Sequence, residues 1–436
     1  LLALEDTIAF PISFLGALQA GVVAVPLNTM LTTNDFAFIA KDSGAAGVVA
    51  SGGVIDRLPA GLVRFCADSR AEGWPELHTA LSGQEAAPVE PISGGGDIAF
   101  WLYTSGTTGK PKGVMHSHTN LLATAERFGQ EVLALSEQDV VFSASKLFFA
   151  YGLGNSLTFP LAAGAAVVLL DAPPRPEAVQ AIFREHQPTV FFGVPTLYAW
   201  LLNTGNAPRD HRLRLCVSAG EALPEAIQQR WREATGVDIL DGLGSTEMLH
   251  MYISNHAGDV RPGTSGTPVA GYRVKILDES GNAVPDGEMG DLYVAGPSMT
   301  AGYWNRPELN RATFDGPWMH TGDKYVRTAS GAYAYRGRSD DLLKVGGLYV
   351  SPMEVENALL LHPAVTEAAV VGRADDDGLI KPIAYVVANT PDIDEQSLID
   401  HVANRLAAYK RPRWIEFVDQ LPKTATGKIQ RFKLRR

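Results

Sequence analysis

The stretch TSGTTGKPKG, residues 104–113, places three glycines, three threonines, one serine and two lysines in ten positions. Glycine lets backbone come close to a ligand and take dihedrals closed to other residues. Hydroxyls, free N–H groups and lysine supply donors and positive charge. That combination suits a polyphosphate cradled by backbone N–H groups. A flexible surface connection from a strand to a helix has the same composition. The spacing excludes a Walker A loop, because Gly106 and Gly109 are too close and Pro111 follows Lys110. YGLGNSL (151–157) begins like a dinucleotide fingerprint, but Leu157 stands where the third glycine belongs.

Further turns carry reactive side chains. SAGEALP (218–224) ends a strand in a tight turn, and DGLGSTE (241–247) is a glycine-rich turn closing on a carboxylate. HTGDKY (320–325) sets Asp323 in a glycine turn, GRSDDLLKVGG (337–347) follows, and PKTATGKIQR (422–431) carries Lys428 on a glycine loop. Each alone reads as an ordinary turn. Glu247 and His250 have the spacing of a metal pair but lack an evident third ligand, and HSH (116–118) reads as capping and packing rather than zinc binding.

The elements that must hold these turns follow from periodicity. FPISFLGALQAG (10–21) has apolar residues at helical spacing, while AGVVAVPLN and AAGVVAS read as buried strands. Between 120 and 300, the runs GAAVVLLD, PTVFFGV, LRLCVSAG and VDILDGLG alternate with helical segments, the rhythm of a parallel α/β core. From about 263, short alternating strands with Gly, Pro and Asp turns indicate a small, more antiparallel subdomain. Residues 341–436 form a compact α+β unit in which MEVENALLLHPAV and SLIDHVANRLAAY are amphipathic helices and VTEAAVVG and KPIAYVVA are strands. The fold class is therefore α/β: a large N-terminal domain of parallel α/β subdomains with a small β-rich subdomain, then a small α+β domain.

The 436 residues allow two or three domains with a large buried core. Lys plus Arg is 37 against 48 Asp plus Glu, a net charge of −11, which argues against non-specific nucleic-acid binding. With only Cys66 and Cys216 there is no disulfide framework and no cysteine metal site, and a reducing, cytoplasmic setting fits. The apolar stretch from Leu147 to Leu170 carries Asn155, Ser156, Thr158, Pro160 and three glycines, and reads as buried strand, turn and helix rather than a membrane span. No signal peptide is visible. The chain opens on LLALED without Met, as if mid-domain, so a missing N-terminal portion is expected.

In this order and at these spacings, the motifs resemble those of the adenylate-forming enzymes: acyl- and aryl-CoA synthetases, luciferases and nonribosomal-peptide adenylation domains. TSGTTGKPKG with GRSDD and PKTATGK is highly specific, and the resemblance covers essentially the whole chain. It implies that a carboxylic acid reacts with ATP to give acyl-AMP and pyrophosphate, and that a thiol then displaces AMP. Joining an anionic carboxylate to an anionic α-phosphate requires charge neutralisation and alignment. The resemblance assigns the β- and γ-phosphates to Thr104, Ser105, Gly106, Thr107, Thr108, Gly109 and Lys110. It assigns Mg²⁺ to Glu247, a hard ligand for a hard cation, and the α-phosphate to Thr246. Asp323 would take the ribose hydroxyls and Arg338 the ribose and phosphate region. Gly220, Glu221, Ala222, Asp241, Gly242, Leu243 and Gly244 would line the adenine slot, and Lys428 would bridge carboxylate and α-phosphate. Leu243 stands where many members keep an aromatic that stacks on adenine.

The resemblance also divides the chain at a hinge, Asp340, into a large domain (1–339) and a small mobile domain (340–436). The small domain would swing between an adenylating and a thioester-forming pose. Gly346 and Gly347 would then leave room for the pantetheine arm of CoA, and Arg411 and Arg413 would meet its nucleotide end. An ordinary solvated basic patch is the other reading of those arginines. KLFFAYGLGN (146–155) and GSTEMLHMYISN (244–255) fall where the family places its acyl pocket, and their wording resembles benzoate-CoA ligases and related aryl-acid CoA ligases. Phe149, Ala150, Tyr151 and Gly152 would form a slot for a flat ring, with His250 either reaching the substrate or serving as a core histidine. The expected activity is an AMP-forming aryl-acid:CoA ligase with benzoate as leading substrate. Its small-molecule partners would be the aromatic acid, ATP and CoA, with no nucleic acid and no membrane span, and a homodimer stays open. Two alternatives remain at this point: an adenylation enzyme loading a carrier-protein phosphopantetheine, and a non-catalytic nucleotide-binding protein of the same fold.

Overall fold

The computed structural model describes the chain apart from residues 69–71, 83, 85–93, 106–110, 340, 346–347, 377–378, 391–392, 424–428 and 436, and apart from the Ser105 side chain. The central sheet has seven strands. Five are parallel neighbours in the order Ile239–Gly244, Leu215–Ser218, Val190–Gly193, Val140–Ser143 and Ala166–Val168. Met251–Ser254 and Thr267–Pro268 extend it antiparallel. The parallel strands are short apolar runs because both faces are covered. On one face lie the helices Pro176–His186, Pro195–Asn203 and Glu225–Thr235, which bury Phe183, Tyr198 and Trp231 against Phe191. Gly236, at φ +75, ends the last of these helices in the left-handed region that favours glycine.

A five-stranded antiparallel sheet follows, with Arg273–Leu277, Met289–Ala295, Trp318–Arg327 and Phe314–Asp315 in order and Tyr333–Arg338 paired to the third. Its inner positions, Ile276, Leu292, Val294 and Met319, share one core cluster with the central sheet. The C-terminal α+β unit packs helices Pro352–Leu360 and Glu395–Ala403 on a three-stranded sheet, Val365–Ala374, Ile380–Ala388 and Trp414–Phe417, through Val355, Leu359, Val370, Leu398 and Val402. Its core is separate from the others.

Three expectations change. TSGTTGKPKG does not lead from strand to helix: it joins the antiparallel strands Ile98–Ser105 and Pro111–Ser117, with Thr104 opposite Lys112. AGVVAVPLN makes only isolated bridges, Ala24 to Phe100 and Leu2 to Pro26, because Pro26 has no N–H to carry a ladder forward. Leu147–Leu170 runs in the opposite order, helix first. Helix Ala150–Leu153, a π-turn at Gly154–Thr158 and helix Phe159–Ala163 precede the strand Ala166–Val168. Pro160 is tolerated in the first turn of its helix. Among the described residues no helix is long and apolar enough to cross a membrane.

Candidate active site

Ligands of open parallel sheets sit beyond the carboxyl ends of the strands, and two of the sequence motifs lie there side by side. Strand Leu215–Ser218 runs into Gly220, Glu221 and Ala222, and the adjacent strand Ile239–Gly244 into Thr246 and Glu247, with Asp241 level with Ser218. Gly220 has φ +93 and open space around it, so the backbone there is accessible to a ligand. Glu221 and Ala222 are half-buried, and Glu221 accepts the Ile429 N–H at 3.3 Å. That bond brings the chain just after Lys428 to this turn. Gly242 and Gly244 serve the sheet: a Cβ on the first would lie 2.6 Å from the Ile253 carbonyl oxygen, and on the second 2.8 Å from that of His250.

Asp241 is buried, and its Oδ1 has no hydrogen-bond partner among the described residues. Burial pushes its carboxyl well above the usual range, with the Leu223 N–H, the Ser218 hydroxyl and the Gly242 N–H opposing the shift. In its protonated form a carboxyl both donates and accepts. Asp323 faces Arg338 across a strand pair, with Nη1 to Oδ1 at 3.2 Å, and the same Nη1 donates to the Thr321 carbonyl at 3.0 Å.

Glu247 is the most constrained carboxylate of the cluster. Lys112 Nζ lies 3.2 Å from its Oε1, and the Tyr303 hydroxyl donates to the same oxygen at 2.8 Å. Lys112 also stands 3.9 Å from the centre of the Tyr303 ring, a cation–π contact. Burial works to raise the Glu247 carboxyl, but Lys112 and Tyr303 outweigh it and hold the group below its ordinary value. Thr246 lies on the same turn, its carbonyl accepting from His116 Nε2 at 2.8 Å. Burial lowers His116 to about 4, so the ring is neutral; it bonds Asn120 through Nδ1 at 2.9 Å. Within HSH, His116 packs and hydrogen-bonds, and Ser117 stands at the N-cap of helix His118–Thr124 without a side-chain cap bond. Among the described residues no group of His, Cys, Asp and Glu side chains could by itself hold a metal, so a cation at Glu247 would draw further oxygens from a bound phosphate.

Tyr151 and His250 meet beneath these turns with ring centres 5.4 Å apart. The Tyr151 hydroxyl points to the carbonyls of Gly193 at 3.4 Å and Val217 at 3.3 Å. His250 is buried among Phe128, Phe159 and Tyr151, and its Nε2 bonds Asn155 Oδ1 at 3.0 Å. Burial lowers it to about 3, which keeps it neutral. This is the environment of a core histidine, with Nδ1 left unpartnered among the described residues. Tyr151 and Leu243 pack against one core cluster, whereas Phe149 and Ala150 pack against another, beside Phe148 and Leu153. Gly152 does not open a slot: a Cβ there would sit 2.0 Å from the Lys146 carbonyl oxygen.

Thr104 is half-buried at the base of the hairpin, and Ser105 continues its strand. Gly106, Thr107, Thr108, Gly109, Lys110, Asp340, Gly346, Gly347 and Lys428 lie outside the described residues. Arg411 and Arg413 are exposed on the small unit, near Tyr409, with no described contact to the nucleotide turns. Lys112, Tyr303 and Thr300 were given no role from sequence. Lys112 alone had a signal, as the second lysine of the phosphate-loop motif.

Residues 1–304 match the AMP-binding enzyme family, and residues 354–428 match the AMP-binding enzyme C-terminal domain. The chain is 51% identical over 451 aligned residues to a benzoate–CoA ligase of Thauera aromatica, covering 100% of this chain and 85% of that protein. It is 46% identical to a 4-hydroxybenzoate–CoA/benzoate–CoA ligase of Rhodopseudomonas palustris, covering 100% and 83%. The crystal structure of a benzoate CoA ligase from Burkholderia xenovorans LB400 superposes with a TM-score of 0.93 at 49% identity, covering 100% of this chain and 88% of the other.

Proposed function

We infer that this chain, which belongs to the AMP-binding enzyme family, activates benzoate or a close aromatic acid and passes it to CoA. It is an AMP-forming acid–thiol ligase, with ATP and CoA as co-substrates. The choice of acid is supported by the chain's 51% and 46% identity to ligases of benzoate and of 4-hydroxybenzoate, and by the contact of the Tyr151 and His250 rings, 5.4 Å apart, in the two segments assigned to the acid.

The reaction has two displacements at one site. A carboxylate oxygen attacks the α-phosphorus of ATP and pyrophosphate leaves. The CoA sulfur then attacks the acyl carbonyl and AMP leaves with the oxygen it gained. Asp241 holds the adenine edge, Leu243 packs on its face, and Gly220, Glu221 and Ala222 close the slot. Asp323 accepts from the ribose hydroxyls while Arg338 steadies the carboxylate and reaches toward the phosphates. Thr246 donates at the α-phosphate. Glu247, its carboxyl held below the ordinary range by Lys112 and Tyr303, would hold Mg²⁺, which would supply positive charge to the phosphates. Residues 104–110 cradle the β- and γ-phosphates. Lys428 adds a mobile positive charge where carboxylate meets phosphate. The Glu221–Ile429 bond supports that placement.

The domain division at Asp340, with the small domain turning between the two half-reactions, belongs to the same reading. Gly346 and Gly347 then face the pantetheine arm, and Arg411 and Arg413 the nucleotide of CoA. A cytoplasmic setting is in keeping with a chain whose two cysteines, Cys66 and Cys216, are buried and form no disulfide with each other; self-association as a homodimer is a further reading to be measured by sedimentation. Pyrophosphate release with CoA present, measured over benzoate, 4-hydroxybenzoate, 2-aminobenzoate and an aliphatic diacid, tests the substrate class. Benzoate is expected to give the highest kcat/KM and the aliphatic diacid none. An aliphatic acid turned over as well as benzoate would refute the aromatic slot.

A further inference from the structure

Strand Pro111–Ser117 carries Lys112 and His116 four residues apart, on one face. Both reach the turn that bears Thr246 and Glu247. Lys112 takes the Glu247 side chain, and His116 takes the Thr246 carbonyl at 2.8 Å. The next two carbonyls are also captured. Thr300 N–H donates to that of Glu247 at 2.8 Å, and the Ser298 hydroxyl to that of Met248 at 2.6 Å. Asn120 ties the captors together, bonding His116 Nδ1 at 2.9 Å and the Ser298 carbonyl at 3.0 Å. The turn they hold is strained, with Leu249 at φ +63, a conformation rare for a branched side chain that persists only when its surroundings over-determine it.

We propose that His116 is a positioning residue for adenylation: it locks the backbone of the Thr246–Glu247 turn to the strand that emerges from the phosphate loop. Strand Pro111–Ser117 and the Glu247 carboxylate thereby keep one register. The ring sits face to face with Phe100, centres 5.2 Å apart, and is fully buried, so His116 acts through Thr246 and touches no substrate. The inference rests on the reading of Thr246 and Glu247 given above.

The test compares His116→Leu, His116→Gln and His116→Asn with the parent and with Glu247→Gln. Calorimetric titration with ATP, with and without Mg²⁺ and in the absence of any acid, is the primary readout; adenylate formation and thermal melts accompany it. Glutamine carries its amide nitrogen near the place of Nε2, asparagine near that of Nδ1. His116→Leu is expected to weaken Mg²⁺–ATP binding about tenfold, the worth of one lost buried hydrogen bond, and to leave metal-free ATP binding within about twofold. His116→Gln recovers most of the loss and His116→Asn does not. Should the leucine variant not fold, the glutamine–asparagine difference decides. Parent-like Mg²⁺–ATP affinity in His116→Leu, or equal behaviour of the glutamine and asparagine variants, overturns the proposal. So does an equal loss with and without Mg²⁺ that tracks a lowered melting temperature. Parent-like affinity in Glu247→Gln would instead sink the metal-site reading.

Discussion

Asp241 shows how one buried side chain couples stability to the site. Burial pushes its carboxyl well above the ordinary range, so folding favours the protonated form. The stability it contributes is present in full below the unfolded value of about 3.9 and is lost as pH climbs from there toward the raised folded value. Asp241→Asn cannot ionise. Its melting temperature relative to the parent is therefore expected to rise with pH, by a few degrees between pH 5 and pH 8. A gap that stays constant over that range would show that burial does not control this group. The motif DGLGSTE marked Asp241 and Glu247 from sequence. It could not disclose Tyr303, which lies 56 positions from Glu247 and reaches it because its strand pairs with Pro111–Ser117. Periodicity reports which face a residue takes, but not which distant side chain will cross to it.

At the scale of elements, two π-turns, Ala125–Gln130 and Gly154–Thr158, bring Phe128 and Asn155 to His250, in the region proposed to take the aromatic acid. Such turns commonly occur at functional sites, yet FFAYGLGN carries no residue pattern that separates a π-turn from an α-turn. The parallel strands, by contrast, were legible as short apolar runs, because burial on both faces leaves no alternative composition. The turn 146–152 is packed without slack: a Cβ at Gly152 would approach the carbonyl oxygens of Lys146 at 2.0 Å and Ser145 at 2.5 Å. Gly152→Ala must therefore displace helix Ala150–Leu153 and with it Tyr151. The expected outcome is a loss of about 1–3 kcal/mol in stability, with KM for the aromatic acid raised about tenfold or more and ATP affinity unchanged. Denaturant melts and initial-rate kinetics measure both. A variant with parent stability and parent KM would place the slot elsewhere.

For the whole molecule, the proposed alternation about Asp340 would let Lys428 and the segment 344–349 serve one site in turn. The residues flanking Asp340 are anchored differently. Ser339 donates to Asp291 Oδ1 at 2.9 Å in the antiparallel sheet, while Asp341 pairs with Arg435 at the chain's end. A few residues absorb the dihedral change of such a swing, and proline would fix φ and remove an N–H. Asp340→Pro is expected to keep adenylate formation within about threefold and to slow thioester formation from supplied acyl-AMP by about 10² or more, one pose being retained. Parallel loss of both half-reactions with a lowered melting temperature would reduce Asp340 to a turn residue.

The central claim is that the acid is activated by attack on the α-phosphorus, and an oxygen label follows that bond. With benzoate carrying ¹⁸O in both carboxylate positions, ATP and CoA, mass spectrometry of the products reads where the oxygens go. One ¹⁸O should appear in AMP and one remain in the thioester carbonyl, with pyrophosphate unlabelled. Unlabelled AMP, or label in a phosphate released beside ADP, would contradict the account.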